Sequence, residues 1–206
     1  MSTNLVRRLL NLHIGLVLFG ISVALMIRAD LGLASWDVLH QGIVERTGLP
    51  FGWVVNGVAV LVLLLWWPLR QRPGIGTVAN VIVVGLAADA TLAVTPRPDA
   101  LVVRAGLLAG AILLNGVATG LYVGAGLGPG PRDGLMTGLA ARGHSIRVMR
   151  TCIEVAVLGV GWLLGGSVGV GTLAYAIAIG PLVHYLIPKL TVPSARKPEV
   201  GQPCPA

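Results

Sequence analysis

Apolar positions along this chain come in long blocks. Charge-poor stretches run over residues 9–27, 52–69, 75–94, 102–123, 149–165 and 168–187. A helix of about 20 apolar residues crosses roughly 30 Å of hydrocarbon, so the pattern predicts six membrane-spanning helices. Only Gly165-Gly166-Ser167 separates the last two blocks, which read as a tight helical hairpin. From Thr191 onward, Pro193, Pro198, Pro203 and Pro205 mark a Pro-rich tail, 191–206, that reads as disordered. Residues 1–190 then form one transmembrane domain. Arg7 and Arg8 precede the first block as in a secretory signal, but the block ends Met26-Ile27-Arg28-Ala29 with no small-residue cleavage site. It reads as a retained span.

Two shorter segments, 35–46 and 131–142, break the pattern with an acid near the start of each. Twelve residues make a helix of about 18 Å, too short to cross alone. Extending the first to membrane length would bury Asp37, Glu45 and Arg46, at about 3 kcal/mol each near the bilayer centre. Both segments therefore read as short re-entrant or broken helices. Ser35 suits an N-cap, and Pro131 the first helical turn.

The chain also repeats itself. Shifted by 96, residues 20–43 fall on 116–139 with Asp37 on Asp133. Shifted by 95, Gly74-Ile75-Gly76-Thr77 falls on Gly169-Val170-Gly171-Thr172. Each half (about 7–96 and 102–188) reads as a span, a Leu-Gly loop, a short Asp-bearing helix and two more spans. Three crossings per half make the halves antiparallel, the inverted-repeat plan of many secondary transporters. If both short helices crossed, eight spans and parallel halves would follow.

Composition fixes the solvent. Of 206 residues, 55% are hydrophobic and 11% charged, against about 25% charged in a soluble domain. The net charge of +7 comes from cations at the ends of apolar blocks, so it signals topology rather than nucleic-acid binding. With six spans and the N-terminus inside, 11 of the 15 Lys and Arg are cytoplasmic, which places both termini on the cytoplasmic face.

The plain role for Asp37 and Asp133 is to satisfy free N–H groups at a helix start. The functional role sets them as counterparts across a midplane cavity, where irregular backbone is tolerated. Trp36 is replaced by Arg132 in the second half, and His40 by Met136. Arg132 suits an anionic ligand, neutralisation of Asp133 or a snorkelling loop cation, and Trp36 suits a stacking wall or interfacial anchor. Asp37, Asp133, Arg132, Trp36 and His40 are therefore the ligand-binding candidates. Glu154, Asp89 and His184 lie within spans and are candidates for ion or proton coupling. Glu154 also stands one turn after Arg150, as an ion pair would require. His13 and His144 read as interfacial. The four-residue spacing of Gly116, Gly120, Gly124 and Gly128 is that of close helix packing.

The stretches Leu31–Gly42, Trp67–Thr77 and Gly128–Met136 resemble the YczE/YyaS/YitT-type bacterial membrane proteins, most specifically in Trp36-Asp37-Val38-Leu39 and Pro131-Arg132-Asp133-Gly134-Leu135. That resemblance implies a multispan inner-membrane protein and carries over no catalytic or ligand residue. Three function classes follow. The first is a small secondary transporter of an unknown small molecule or ion. The second is an accessory or scaffold membrane protein that docks through the loop 142–150. For the third, an enzyme, the chain has no His-Glu-x-x-His, Gly-x-Ser-x-Gly, phosphate-loop Gly-Lys or cysteine-pair metal motif, and Cys152 stands alone in an apolar helix. No cofactor or metal is expected. The lipid bilayer is the expected partner, with homo-oligomers compatible.

Overall fold

The computed structural model describes residues 2–143 and 145–192. Its elements are helices α1 (Ser2–Ala29), α2 (Ser35–Thr47), α3 (Phe51–Leu64), α4 (Trp66–Leu69), α5 (Ile75–Val94), α6 (Leu101–Gly124), α7 (Pro131–Ala140), α8 (Ile146–Leu163) and α9 (Val170–Leu190). The tail from residue 193 and His144 lie outside the described residues.

Five helical segments are long and apolar enough to cross a bilayer: Asn4–Ala29, Phe51–Leu69, Ile75–Val94, Leu101–Gly124 and Val170–Leu190. The sixth expected span, α8, is not among them, because its 18 residues include Arg147, Arg150 and Glu154. The short helices form as expected, 13 residues in α2 and 10 in α7. At 1.5 Å per residue these are about 20 and 15 Å long. Ser35 is not a cap. The N-cap is the extended residue Ala34, which makes no side-chain cap bond, and Ser35 is the first helical residue.

The core is the pair α1 and α6. Helix α5 packs on α1, α9 on α6, and α3 on α5. The short helices cross over: α2 lies on α8, and α7 on α3 and α4. Leu12, Leu16, Val23 and Ala118 are buried within this packing. Trp53, Leu64, Val102, Val170 and Ile177 are exposed on the outside, as helices facing lipid require. Small residues set the approach. A methyl on Gly20 would lie 2.5 Å from the Val84 carbonyl oxygen, and one on Gly42 2.5 Å from that of Gly161.

Where the expected hairpin should be, α8 and α9 part company, one resting on α2 and the other on α6. The joining turn bonds to α2 instead: Gln41 Oε1 accepts from the Ser167 N–H at 2.7 Å, and Arg46 Nε donates to the Leu164 carbonyl at 3.2 Å. A helix whose polar face carries two arginines and a glutamate has less apolar surface to offer a neighbouring span.

Bonds between the halves hold the helix ends. The last carbonyls of a helix lack internal partners and favour a cation. Arg8 supplies one at the end of α6, donating to Ala125 and Gly126 carbonyls at 2.6 Å each. Arg104 does the same at the end of α1, donating to Ala29 at 2.8 Å and to Asp30. The starts of α5 and α9 are tied likewise: the Gly76 N–H donates to Leu127 at 2.9 Å, and the Gly171 N–H to Leu31 at 2.7 Å. Gly32 and Gly128 make these crossings with positive φ, +112° and +126°, a conformation that glycine adopts without strain. At each, a Cβ would meet the other half's backbone at 3.0 Å or less.

Candidate functional site

The loop–helix junctions at Ala34–Trp36 and Gly130–Asp133 bring both Asp-bearing helix starts to the interior, where Arg132 meets Phe19 of α1 and Asp133 meets Tyr122 of α6. Neither aspartate caps its helix. Asp37 is buried, and its Oδ1 faces His40 Nδ1 at 3.3 Å. The His40 ring stands edge-on to Phe51, centroids 6.0 Å apart. Asp133 is exposed to the interior cleft, and its Oδ2 accepts from the Tyr122 hydroxyl at 2.8 Å.

Arg132 stands between them. Its guanidinium lies 5.6 Å from the Phe19 ring centroid and 5.8 Å from that of Trp36. Contacts of this kind contribute about 0.5–2 kcal/mol, more when water is excluded. Among the described residues Arg132 has neither a hydrogen-bond acceptor nor an ion-pair partner, so its donors remain open. Trp36 is only 6% exposed, and its indole N–H is buried without an acceptor.

Phe19, Trp36 and Arg132 line two cavities of very different size. One, of about 40 Å³, lies against α3 and α5 and includes Asp37, His40, Asn80, Val84 and Ala88. The other is an open cleft of about 940 Å³ against α8 and α9, which includes Asp133, Glu154, Tyr175, Ile179, Val183 and His184. Offset by 95, Asn80, Val84 and Ala88 correspond to Tyr175, Ile179 and Val183. The α3–α5 side is narrow because glycine meets glycine: a Cβ on Gly85 would lie 2.5 Å from the Gly52 carbonyl oxygen. The counterpart of Gly85 on α9, Gly180, has nothing within 4 Å.

Of the residues singled out from sequence, seven line one or both cavities: Trp36, Asp37, His40, Arg132, Asp133, Glu154 and His184. Asp89 does not. Its Oδ1 accepts from the Gly52 N–H at 2.7 Å, fastening α5 to the start of α3. Glu154 receives Arg150 Nε at 3.0 Å, as its spacing implied, and both line the cleft. His13 is exposed, with Nδ1 2.9 Å from the Leu9 carbonyl oxygen. Tyr122 and Tyr175 escaped the sequence reading. Tyr175 donates to Asn115 Oδ1 at 3.0 Å, and Asn115 to Ser22 Oγ at 2.8 Å, a buried polar chain across α1, α6 and α9. The available signal was the rarity of polar aromatics inside spans: the chain has only three tyrosines.

No solved structure matches this chain. A Haemophilus influenzae "Uncharacterized protein" is 41% identical over 84% of this chain and 79% of its own length. "Uncharacterized membrane protein YczE" of Bacillus subtilis is 30% identical over 92% of this chain and 89% of its own. "Uncharacterized protein YyaS" of the same organism is 25% identical over 85% and 90%. The sequence-level resemblance thus holds, and the protein is a helical membrane protein. Residues 6–188 match the model of DUF6198, a family of unknown function, and the chain belongs to that family.

Proposed function

We propose that this protein is a small secondary transporter of the bacterial inner membrane, built from two antiparallel repeats with α8 as the sixth crossing and both termini cytoplasmic. The observation that carries this reading is the pair of counterpart cavities, one narrow and one wide, on either side of Arg132. A symmetric binding protein has no need for such asymmetry. An alternating-access machine does: each half takes the shape the other has just left. In this arrangement the cleft faces the end where α6 and α9 finish, the cytoplasmic face. The Gly52–Gly85 contact and Asp89 seal the opposite face.

Reciprocal bonds support the antiparallel repeat. Arg8 on Ala125 and Arg104 on Ala29 exchange positions under an offset of 96, since 8 + 96 = 104 and 29 + 96 = 125. Arg46 on Leu164 and Arg142 on Pro68 do so under the same offset. Gly76 on Leu127 and Gly171 on Leu31 do so under 95 and 96. A two-fold axis in the membrane plane generates such pairs, whereas unrelated halves have no reason to.

The test needs no substrate. Single cysteines replace Val84 or Ile179 in a background lacking Cys152 and Cys204, and a membrane-impermeant maleimide is applied to right-side-out and inverted vesicles. A transporter exposes position 179 to the cytoplasmic side and position 84 to the other side over time. Position 179 reacts about tenfold faster when the cleft-open state dominates. Position 84 remaining inert from both sides would count against alternating access.

A further inference from the structure

We propose that the cleft binds a small organic monocarboxylate, with Arg132 and the indole N–H of Trp36 as its anion-binding end. This deepens the transporter reading and rests on it for the ligand's path, though not for its binding. Arg132 is a guanidinium held by two aromatic faces and by no acceptor among the described residues. Contact with the ring faces holds the group while leaving its N–H donors free, the arrangement that suits a carboxylate fork. On the ring beside it, the Trp36 N–H is buried without a partner. A buried donor in that condition is unfavourable until an acceptor arrives. One ligand group answers both deficits.

The charge of the ligand follows from the neighbours. Asp37 is engaged by His40, and Asp133 by Tyr122, while Arg150 and Glu154 pair with each other. His184 lines the cleft beyond them. Each carboxylate beside Arg132 already has its own partner, which leaves the Arg132 donors for the ligand, while their negative charge limits that ligand to a single charge and disfavours phosphate dianions. The body of the ligand follows from the wall. Ile179, Val183 and Ile187 of α9 and Met136 of α7 give the cleft an apolar side, and such walls retain ligands by excluding water.

Calorimetric titration of the purified full-length protein in nanodiscs tests this with phenylacetate, phenethylamine, 2-phenylethanol and inorganic phosphate. These share or lack one body and vary the charge. Phenylacetate should bind at least about tenfold more tightly than the other three, the ratio expected of one charge-assisted contact. Arg132→Gln should abolish its binding, and Trp36→Phe, which keeps the ring but removes the donor, should weaken it about three- to tenfold. Arg132→Lys, which retains the charge but not the fork, should fall between the wild type and Arg132→Gln, and guards against loss through misfolding. Equal or tighter binding of phenethylamine or phosphate would overturn the proposal, as would phenylacetate binding unchanged in Arg132→Gln. Absence of phenylacetate binding overturns it while leaving the cysteine test of alternating access standing. Binding at a site whose two cavities never exchange accessibility overturns transport instead.

Discussion

The α3–α5 side and the α8–α9 side of this protein carry similar sequence patterns and line cavities of very different size. On the first, Gly52 and Gly85 let the helices touch, and Asp89 fastens the contact through the Gly52 N–H. On the second, Gly180 faces open space, and His184, at the position matching Asp89, lines a cleft. The difference comes down to a few side chains. An acid at position 89 can accept a backbone N–H at a helix start and complement its dipole. A histidine at position 184 brings no such fixed negative charge. Charge on α8 acts in the same direction, since Arg150 and Glu154 favour a wet groove over a dry helix–helix seam.

Substitutions at matched positions probe this contrast. The largest effect is expected for Gly85→Leu, whose side chain would collide with the Gly52 carbonyl. Thermal unfolding in detergent should register a loss of about 1–3 kcal/mol, the usual cost of overpacking, together with faster maleimide labelling at position 84. Gly180→Leu enters empty space and should cost under about 0.5 kcal/mol. Equal losses in the two variants would mean that the two sides are not in different states.

A smaller contrast is expected between Asp89→Ala and His184→Ala. The first removes a bond at a helix N-terminus and should cost about 1 kcal/mol, whereas the second should stay within about 0.5 kcal/mol. Asp89→Asn keeps an acceptor but loses the charge, and should recover part of the loss. If His184→Ala proved as costly as Asp89→Ala in the same unfolding assay, the cleft would have to be closed in the detergent-solubilised protein.

The smallest effect concerns Glu154→Gln. Its pair with Arg150 is half-exposed, with the two side chains 37% and 60% accessible. Such pairs contribute about 0–1 kcal/mol, so stability should hardly move. A loss above about 2 kcal/mol would show that α8 is packed in a drier setting than an open cleft.

Much of the fold was legible from the sequence, for reasons that particular residues make plain. Blocks of apolar residues fix spans because an unpaired backbone cannot face lipid. The two short helices were legible because Asp37 and Asp133 sit where hydrocarbon cannot follow. Seven of the eight candidate site residues line a cavity, since short helices and polar groups at membrane depth are tolerated only where they face a cavity or other protein. Asp89 was the exception: its polarity serves a helix start, which the spacing from Gly52 does not reveal. The predicted hairpin of α8 and α9 failed because a three-residue turn constrains the connection, not the partners, and α2 competes for α8 through Gly42 and Gly161.

By itself, then, the sequence determined the solvent, the helices and the matched motifs, all of which depend on local composition and periodicity. Only the tertiary structure decided which helix rests on which, that Asp133 meets Tyr122 of α6, and that Arg132 lies against the Phe19 and Trp36 rings with its donors free. Those outcomes rest on contacts between residues up to about a hundred positions apart. Such contacts depend on how distant helices settle against one another, which no local pattern encodes.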